Sequence, residues 1–507
     1  MDTQLYSVAQ IRAIEQSSRA VLAPGTLMQR AGEAASSYAL ELLKGRPAGA
    51  VLVLAGPGNN GGDALEVAAN LADLGCEVDV VHLAGDAAPS FETARALARA
   101  QAGKARFVDA ASLDPVHGAR HCLVVDGLFG IGLARPLSGP ARALVEQINA
   151  ASARTTCPVL ALDVPSGLDA DTGTIVGPDG VAVNATHTIT FLGNKPGLHT
   201  GDGCDHAGRV RVDLLDAEGL HGESAQARLN DPALFASVLA PRRRNSHKGS
   251  YGDVAVLGGA HGMQGAAVLA ARGALYAGAG RVFVAAIDPG AGLDAAQPEI
   301  MFRDGAGFSF ENRTAVAGPG MGDSVVATRL FSKLLDGAGP LLVDADALNL
   351  LAASPDLQAR LAAHEGPVVL TPHPLEAARL LGVTTPVVQA DRLENARELA
   401  MRLNAVVVLK GAGSVIARPD GEVAINTTGN PGLATGGSGD VLAGLCGALL
   451  AQGWPAWEAA LGAVWLHGAA ADRLVRGGTG PIGLTAGELP RAIRAEFNGL
   501  VAEAFGR

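Results

Sequence analysis

Several common devices are missing from this 507-residue chain, and each absence removes a class of function. It has five cysteines (Cys76, Cys122, Cys157, Cys204 and Cys446), an odd number with no CxxC pair. A disulfide framework and a structural zinc site are therefore not expected, and a reducing compartment, the cytoplasm, is. There is no excess of positive charge: the net charge is −11, against a general nucleic-acid binder, which needs clustered Lys and Arg. The one basic cluster, Arg242-Arg243-Arg244, reads as a solvated linker edge. No apolar run reaches spanning length, since even Val441 to Leu450 is too short. The start, with Asp2, Arg12 and Glu15, does not read as a signal peptide, so no membrane association is expected.

What is present is the texture of a globular α/β protein: 48% hydrophobic residues, 18% charged, and 67 glycines without periodicity. The length calls for two or three domains. Val8 to Leu43 has helical spacing broken at Pro24-Gly25, which predicts two helices. Apolar runs starting at Val51, Val78, Cys122, Val159 and His187 then alternate with helical segments, predicting a parallel sheet covered on both faces. Leu214 to Pro241 shows no strong strand, and a domain boundary is placed there, near residue 225. A second, larger alternation follows, with runs starting at Asp253, Arg281, Thr314, Pro340, Pro367 and Ala405. It closes with helices over Val441 to Gly453 and Trp457 to Arg473. The halves share no motif, which indicates a fusion and not a duplication.

In such sheets ligands sit at the carboxyl ends of strands. The first strand runs into Gly56-Pro57-Gly58-Asn59-Asn60-Gly61-Gly62-Asp63 and then a helix. This is neither a Rossmann GxGxxG fingerprint nor a Walker loop, yet its glycines let backbone N–H groups approach an oxyanion. Two more strand ends carry oxygen ligands, Asp126-Gly127-Leu128-Phe129-Gly130 and Asp163-Val164-Pro165-Ser166. A lone Asp there is often only a helix cap. Three such ends beside one glycine loop suit a hard cation and a phosphate-bearing ligand better.

GNNGGD, VDGLFGIGL, LDVPSGLDADTG and TITFLGNKPGL together resemble the NAD(P)H-hydrate epimerase domain, over about residues 1–220. The resemblance implies a Rossmann-like three-layer sandwich with a potassium ion on Asn60, Asp126 and Ser166. It implies substrate contacts at Asn59, Asn60, Gly61, Gly62, Asp63, Gly130, Ile131, Gly132, Leu133, Ala134, Arg135, Pro136 and Asp163. Asp163 is the candidate for acid–base work at the hydrated C6 of the nicotinamide ring, the alternative being that it only orients the ligand. The family loop closes with glycine where this chain has Ala64. That residue is strained if the position needs a positive φ and harmless if it is helical.

Near the C-terminus, Asn430 to Asp440 (NPGLATGGSGD) precedes an apolar helix. The N–H groups of such a helix start form an anion hole, and an Asp at its mouth can take a proton from an attacking hydroxyl. Lys410-Gly411-Ala412-Gly413-Ser414 after a strand reads as a phosphate cradle with Lys410 as a point charge, or as an ordinary hairpin. His373 lies between two prolines at another strand end.

These pieces, with GPGMG, LVDADALNLL and TPHPLEAARLLG, resemble the ribokinase-like ADP-dependent NAD(P)H-hydrate dehydratases, over about residues 230–507. The resemblance implies a ribokinase-like three-layer α/β domain. It places hydrate contacts at Ala266, Gly320, His373 and Asp440, and nucleotide contacts at Lys410, Gly411, Ala412, Gly413, Ser414 and Gly439. Asp440 would be the base for phosphorylation of the C6 hydroxyl. The implied ligands are NADH and NADPH hydrates (NADHX and NADPHX) and ADP with Mg2+. A homo-oligomer is expected separately, from helices over Val8 to Leu43 that could pack between subunits. Leu375 stands where the family has glycine, leaving the shape of that turn open, while Glu376 is kept. Two alternatives remain at this point: a small-molecule kinase on the same fold, and a first domain that serves only as a binding module.

Overall fold

Every residue of Ala50–Ala55 is buried, the mark of a strand covered on both faces. In the computed structural model of the chain it pairs in parallel with Val78–His82 on one side and His121–Gly127 on the other. The structure describes residues 3–46, 48–85, 87–110, 120–153, 156–217, 225–288, 290 and 292–506. It divides into two compact units, Met1–Arg228 and Leu229–Arg507.

The first unit holds an all-parallel sheet in the order Arg106–Phe107, Val78–His82, Ala50–Ala55, His121–Gly127, Val159–Leu162, His187–Phe191, Arg209–Asp213. The chain adds strands to one side of Ala50–Ala55, then returns and builds on the other. Ala50–Ala55 and His121–Gly127 therefore flank the switch point, where the ligand crevice of a doubly wound sheet opens. The apolar-run criterion misses Arg106–Phe107 and Arg209–Asp213 because they are edge strands, which tolerate charge. The two N-terminal helices are Val8–Val21, started by a capping box on Ser7, and Thr26–Leu43. Their apolar faces pack Ile11, Ile14, Met28 and Ala35 into the same core as Val53 and Leu160.

The second unit carries strands in the order Val423–Ile425, Val415–Ala417, Val406–Leu409, Val368–Leu370, Leu341–Val343, Thr314–Ala317, Asp253–Gly258, Arg281–Ala286, Met301–Asp304. All neighbours are parallel except the meander through the first three. Its switch point lies between Asp253–Gly258 and Thr314–Ala317. Met301–Asp304 and the two meander strands go beyond the six apolar runs, being short or polar. The helix Ser438–Ala451 is buried on all sides from Val441 to Leu450. It fits against Gln264–Tyr276 because a Cβ on Gly444 would lie 1.8 Å from the Ala270 carbonyl oxygen. Among the described residues no helix is long and apolar enough to cross a membrane. In the basic triplet Arg242 is held, contrary to the expected free edge: it stacks 3.8 Å over the Tyr251 ring and donates to the Gly278 carbonyl.

Candidate active sites

At the first switch point the backbone packs so closely that side chains are excluded. A Cβ on Gly56 would stand 1.7 Å from the Leu128 carbonyl oxygen, and one on Gly61 1.8 Å from that of Gly56. The helix Asn59–Asp73 begins at Asn59, so Asn59 to Asp63 form its first turn and not a loop. The N–H groups of Asn59, Asn60 and Gly61, ahead of the first helical bond from Gly62 N to the Gly58 carbonyl, supply the anion-binding end of a helix. Ala64 has ordinary helical backbone and fills the space left by Gly127, whose Cβ would come within 2.4 Å of it. The departure from the family's glycine is harmless.

Three side chains meet beneath this turn. Asp126 is fully buried and accepts from Ser166 Oγ at 2.7 Å, Ser166 N at 2.9 Å and Leu128 N at 3.2 Å. Burial pushes its carboxyl up to about 6 against the pull of the Ser166 and Leu128 donors. Asn60 is 8% exposed, and neither its amide oxygen nor its nitrogen has a hydrogen-bond partner. An orphaned buried amide of this kind costs about 1–3 kcal/mol unless a ligand completes it. One carboxylate, one amide oxygen and one hydroxyl form a hard-oxygen donor set of single negative charge, which suits a monovalent cation. Among the described residues no three His, Cys, Asp or Glu cluster to hold a metal.

Above them lies a cavity of about 380 Å³ lined by Asn59, Asn60, Asp63, Asp163, Gly130 and Ile131 among others. Asp163 has a positive φ of 63°, a strained conformation for a non-glycine residue and a frequent mark of functional sites. Its Oδ2 accepts from Ile131 N at 3.4 Å, and its Oδ1 from Lys195 Nζ at 2.6 Å. The Lys195 side chain is fully buried, and its ammonium also donates to Thr190 Oγ1 at 2.7 Å and the Phe191 carbonyl at 2.8 Å. Asp63 has its carboxyl pushed well above the usual range, by burial first and then by the charge of Asp163. Of the expected contacts, Gly132 and Leu133 also line the cavity, while Gly61 and Gly62 do not. Gly62 lies buried against Met28, where its missing side chain makes room. Ala134, Arg135 and Pro136 also lie off this cavity, because the chain has turned away and Pro136 packs on Gly177.

The second unit gathers its polar groups at several strand ends. Lys410 Nζ donates to Asp344 Oδ1 at 2.7 Å, and Asp344 is 1% exposed. Gly437, with φ 91°, turns the chain into the helix Ser438–Ala451, whose first turn carries Asp440. A Cβ on Gly439 would stand 3.5 Å from Lys410 Nζ, so helix mouth and lysine face each other. The Asp440 carboxyl rises to about 6, through burial first and then the Asp344 charge, with Lys410 opposing. Lys410 to Ser414 joins two antiparallel strands, so the backbone is a hairpin, and Ser414 Oγ donates to the Gly411 carbonyl at 3.0 Å. Buried Arg392 braces it from below through the Leu409 and Lys410 carbonyls.

His373 stands at the strand end between its two prolines and is the N-cap of the helix that follows. Its Nδ1 accepts from Leu375 N and Glu376 N, capping the helix Pro374–Leu381, and Glu376 Oε2 accepts in turn from His373 N. Burial and the charge of Lys410 lower its basicity, leaving a neutral ring. Leu375 has helical backbone with an exposed side chain, so the missing glycine does not deform the turn. Ala266 and Gly320 are neighbours at the switch point: a Cβ on Gly320 would lie 3.1 Å from Ala266 Cβ.

One family model, described as a YjeF-related protein N-terminus, matches residues 24–197, and another, described as NAD(P)H-hydrate dehydratase, matches 254–493. The bifunctional NAD(P)H-hydrate repair enzyme of Escherichia coli K12 is 38% identical over 88% of this chain and 85% of its own length. That of Coxiella burnetii is 37% identical over 98% of this chain and 100% of its own. The chain belongs to the bifunctional NAD(P)H-hydrate repair enzymes. Among solved structures, an ADP/ATP-dependent NAD(P)H-hydrate dehydratase from Bacillus subtilis is 32% identical with a TM-score of 0.47, covering 54% of this chain and 98% of that one.

In this repair enzyme several residues of the sites escape motif reading. Lys195 stands in the quoted LGNKPG stretch, and its signal is a lone lysine at the end of an apolar strand. Asp344 and Asp346 stand in LVDADAL, and Asp346 holds Gly322 N at 2.8 Å. Arg12, Glu15 and Arg19 reach the first cavity from the helix Val8–Val21, which no local motif announces.

Proposed function

We propose that the two units act in succession on one damaged cofactor. The first epimerises the R and S hydrates of NADH and NADPH at C6. The second dehydrates the S form with ADP, supplied with Mg2+, and releases AMP and phosphate. The observation that carries the reading is the helix mouth of Asp440, faced by the Lys410–Asp344 pair.

In the second unit the carboxylate of Asp440 takes the proton of the C6 hydroxyl as its oxygen attacks the β-phosphoryl group of ADP. The N–H groups from Gly436 to Asp440 stabilise charge on the transferring group, and AMP leaves. Loss of phosphate from C6 and of a proton from C5 restores the ring double bond. Lys410 and the hairpin to Ser414 hold the nucleotide, and Ala266, Gly320 and His373 shape the hydrate side. Since the reacting form is the carboxylate of a group held at about 6, kcat should fall as pH drops through about 6 and level off above it. A rate profile flat from pH 5 to 8 would exclude Asp440 as the base.

In the first unit Asp163, oriented by Lys195, gives a proton to the C6 hydroxyl, which leaves as water as the ring nitrogen's electron pair forms an iminium; it then takes a proton from the water that adds at the opposite face. Asp63, whose carboxyl burial pushes toward the protonated form, hydrogen-bonds the ligand. The N–H groups at Asn59 and Asn60 face the hydrate's phosphates. Asn60, Asp126 and Ser166 would hold a potassium ion, which supplies positive charge for those phosphates. Epimerisation should accordingly be faster in K+ than in Li+, and Asn60→Leu should erase that difference. An equal K+ advantage in the variant would remove Asn60 from the ion.

The deciding assay mixes both NADH-hydrate epimers with ADP and follows NADH absorbance. Complete recovery is expected. Recovery stopping near half would leave the first unit without epimerase activity, and a stable phosphorylated product without NADH would identify a kinase.

A further inference from the structure

The turn that carries Asp440 is held in place from outside, by the helix Ala456–Arg476. Asp472 on that helix accepts from Gly429 N through Oδ2 and from Asn430 Nδ2 through Oδ1, both at 2.9 Å. Asn430 Oδ1 in turn accepts from Gly432 N at 3.0 Å, capping the short 3-10 turn Pro431–Leu433. From there the Ser438 hydroxyl reaches back to the carbonyls of Leu433 and Thr435, at 2.8 and 3.1 Å. Hydrogen bonds to Gly432 and, one peptide further on, from Ser438 to Leu433 thus tie Asp472 to the first residue of the helix that carries Asp440.

Two further features of the same helix support the loop. Thr428 Oγ1 donates to the Trp465 carbonyl at 3.0 Å. Gly468 permits that approach, since a Cβ there would lie 2.2 Å from Thr428 Oγ1. Asp472 makes no ion pair among the described residues, and both its oxygens are spent on the loop. A half-buried carboxylate without a cation is retained at a cost, and the N–H groups of Gly429 and Asn430 offset it here. Charge-assisted bonds of this kind are about twice as strong as neutral ones.

We propose that Asp472 is the positioning residue of the phosphoryl-transfer turn, fixing Asn430 and through it the N–H groups from Gly436 to Asp440. This rests on the reading of that turn given above. Asp472 spends its oxygens on Gly429 and Asn430 and is not among the residues assigned to hydrate or nucleotide. Its effect therefore falls on the transition state, where small displacements of an anion hole are costly.

The test uses the full chain with S hydrate and ADP, and variants Asp472→Ala, Asp472→Asn, Asn430→Ala and the double variant Asp472→Ala/Asn430→Ala. Asp472→Ala should lower kcat about 10- to 100-fold, with KM for ADP changed less than about threefold. Asp472→Asn, which keeps one acceptor oxygen, should fall between. Epimer interconversion without nucleotide should be unchanged. The double variant should be no slower than the worse single one, because the two residues act in one chain of bonds. A kcat within twofold of the parent, or losses that multiply in the double variant, would overturn the proposal. If Asp472→Ala fails to fold, the pair Asp472→Asn and Asn430→Ala with their combination decides by the same criterion. Turnover retained in Asp440→Asn would remove the base from Asp440. It would leave the clamp to be judged by the Asp472 variants alone.

Discussion

Asp440→Asn is expected to abolish recovery of NADH from its hydrate while ADP still binds. The substitution keeps the side chain's size and its place in the first turn of Ser438–Ala451, but the amide cannot take a proton from the C6 hydroxyl. General-base contributions of this kind are worth about 10²–10⁴-fold in rate. The environment supports the role. Burial and Asp344 raise the carboxyl to about 6, close enough to neutrality for an efficient base that is still ionised at pH 7.5. The same shift sets the sign of the stability effect. A carboxyl that holds its proton more tightly in the folded state loses stability as pH rises from its unfolded range through about 6. Asp440→Asn removes that cost, so at pH 8 the variant should melt at the same temperature as the parent or higher. Calorimetric titration with ADP and a thermal melt complete the measurement. An inactive variant that also fails to bind ADP would mean that the residue holds nucleotide instead of acting as base.

Lys195→Met should strike the first unit through both stability and chemistry. The ammonium is fully buried and satisfies three acceptors, on Asp163, Thr190 and Phe191. Methionine fills the volume but strands all three, and breaking a buried pair in this way costs about 3–5 kcal/mol. At roughly 2–4 °C per kcal/mol for a unit of this size, the melting shift is easily read. Epimer interconversion should be lost, because Asp163 is no longer oriented toward the cavity. Dehydration of purified S hydrate in the same sample should persist. Adding Asp163→Asn to Lys195→Met removes the stranded charge and should restore part of the stability without restoring epimerisation. A double variant as unstable as Lys195→Met alone would show that the lysine does not serve to balance Asp163.

Much of the architecture could be read in advance because buried parallel strands are written as uninterrupted apolar runs. All five runs in the first half and all six in the second became strands. The strands that escaped, Gln4–Leu5, Arg106–Phe107, Arg209–Asp213, Ala227–Leu229, Met301–Asp304 and the meander after Ser414, are edge, polar or two- and three-residue pieces whose pairing is set by neighbours. Asn60, Asp126, Asp163 and Ser166, singled out by their motifs, lie together at the first switch point, because turns at neighbouring strand ends meet there.

The amino-acid sequence by itself determined the two-part α/β organisation, the family and the glycine turns that open both sites. Tertiary structure alone decided what those turns face. Lys195 joins Asp163 across 32 residues, Lys410 joins Asp344 across 66, and Asp472 reaches Asn430 across 42. Such pairs leave no local periodicity, since they are formed by strand order and helix packing. The first loop is the opening turn of a helix and carries the orphaned amide of Asn60. The second is a helix mouth tied through Asp472 to a neighbouring helix, the arrangement that the proposed anion hole requires, since its N–H groups must be held in place.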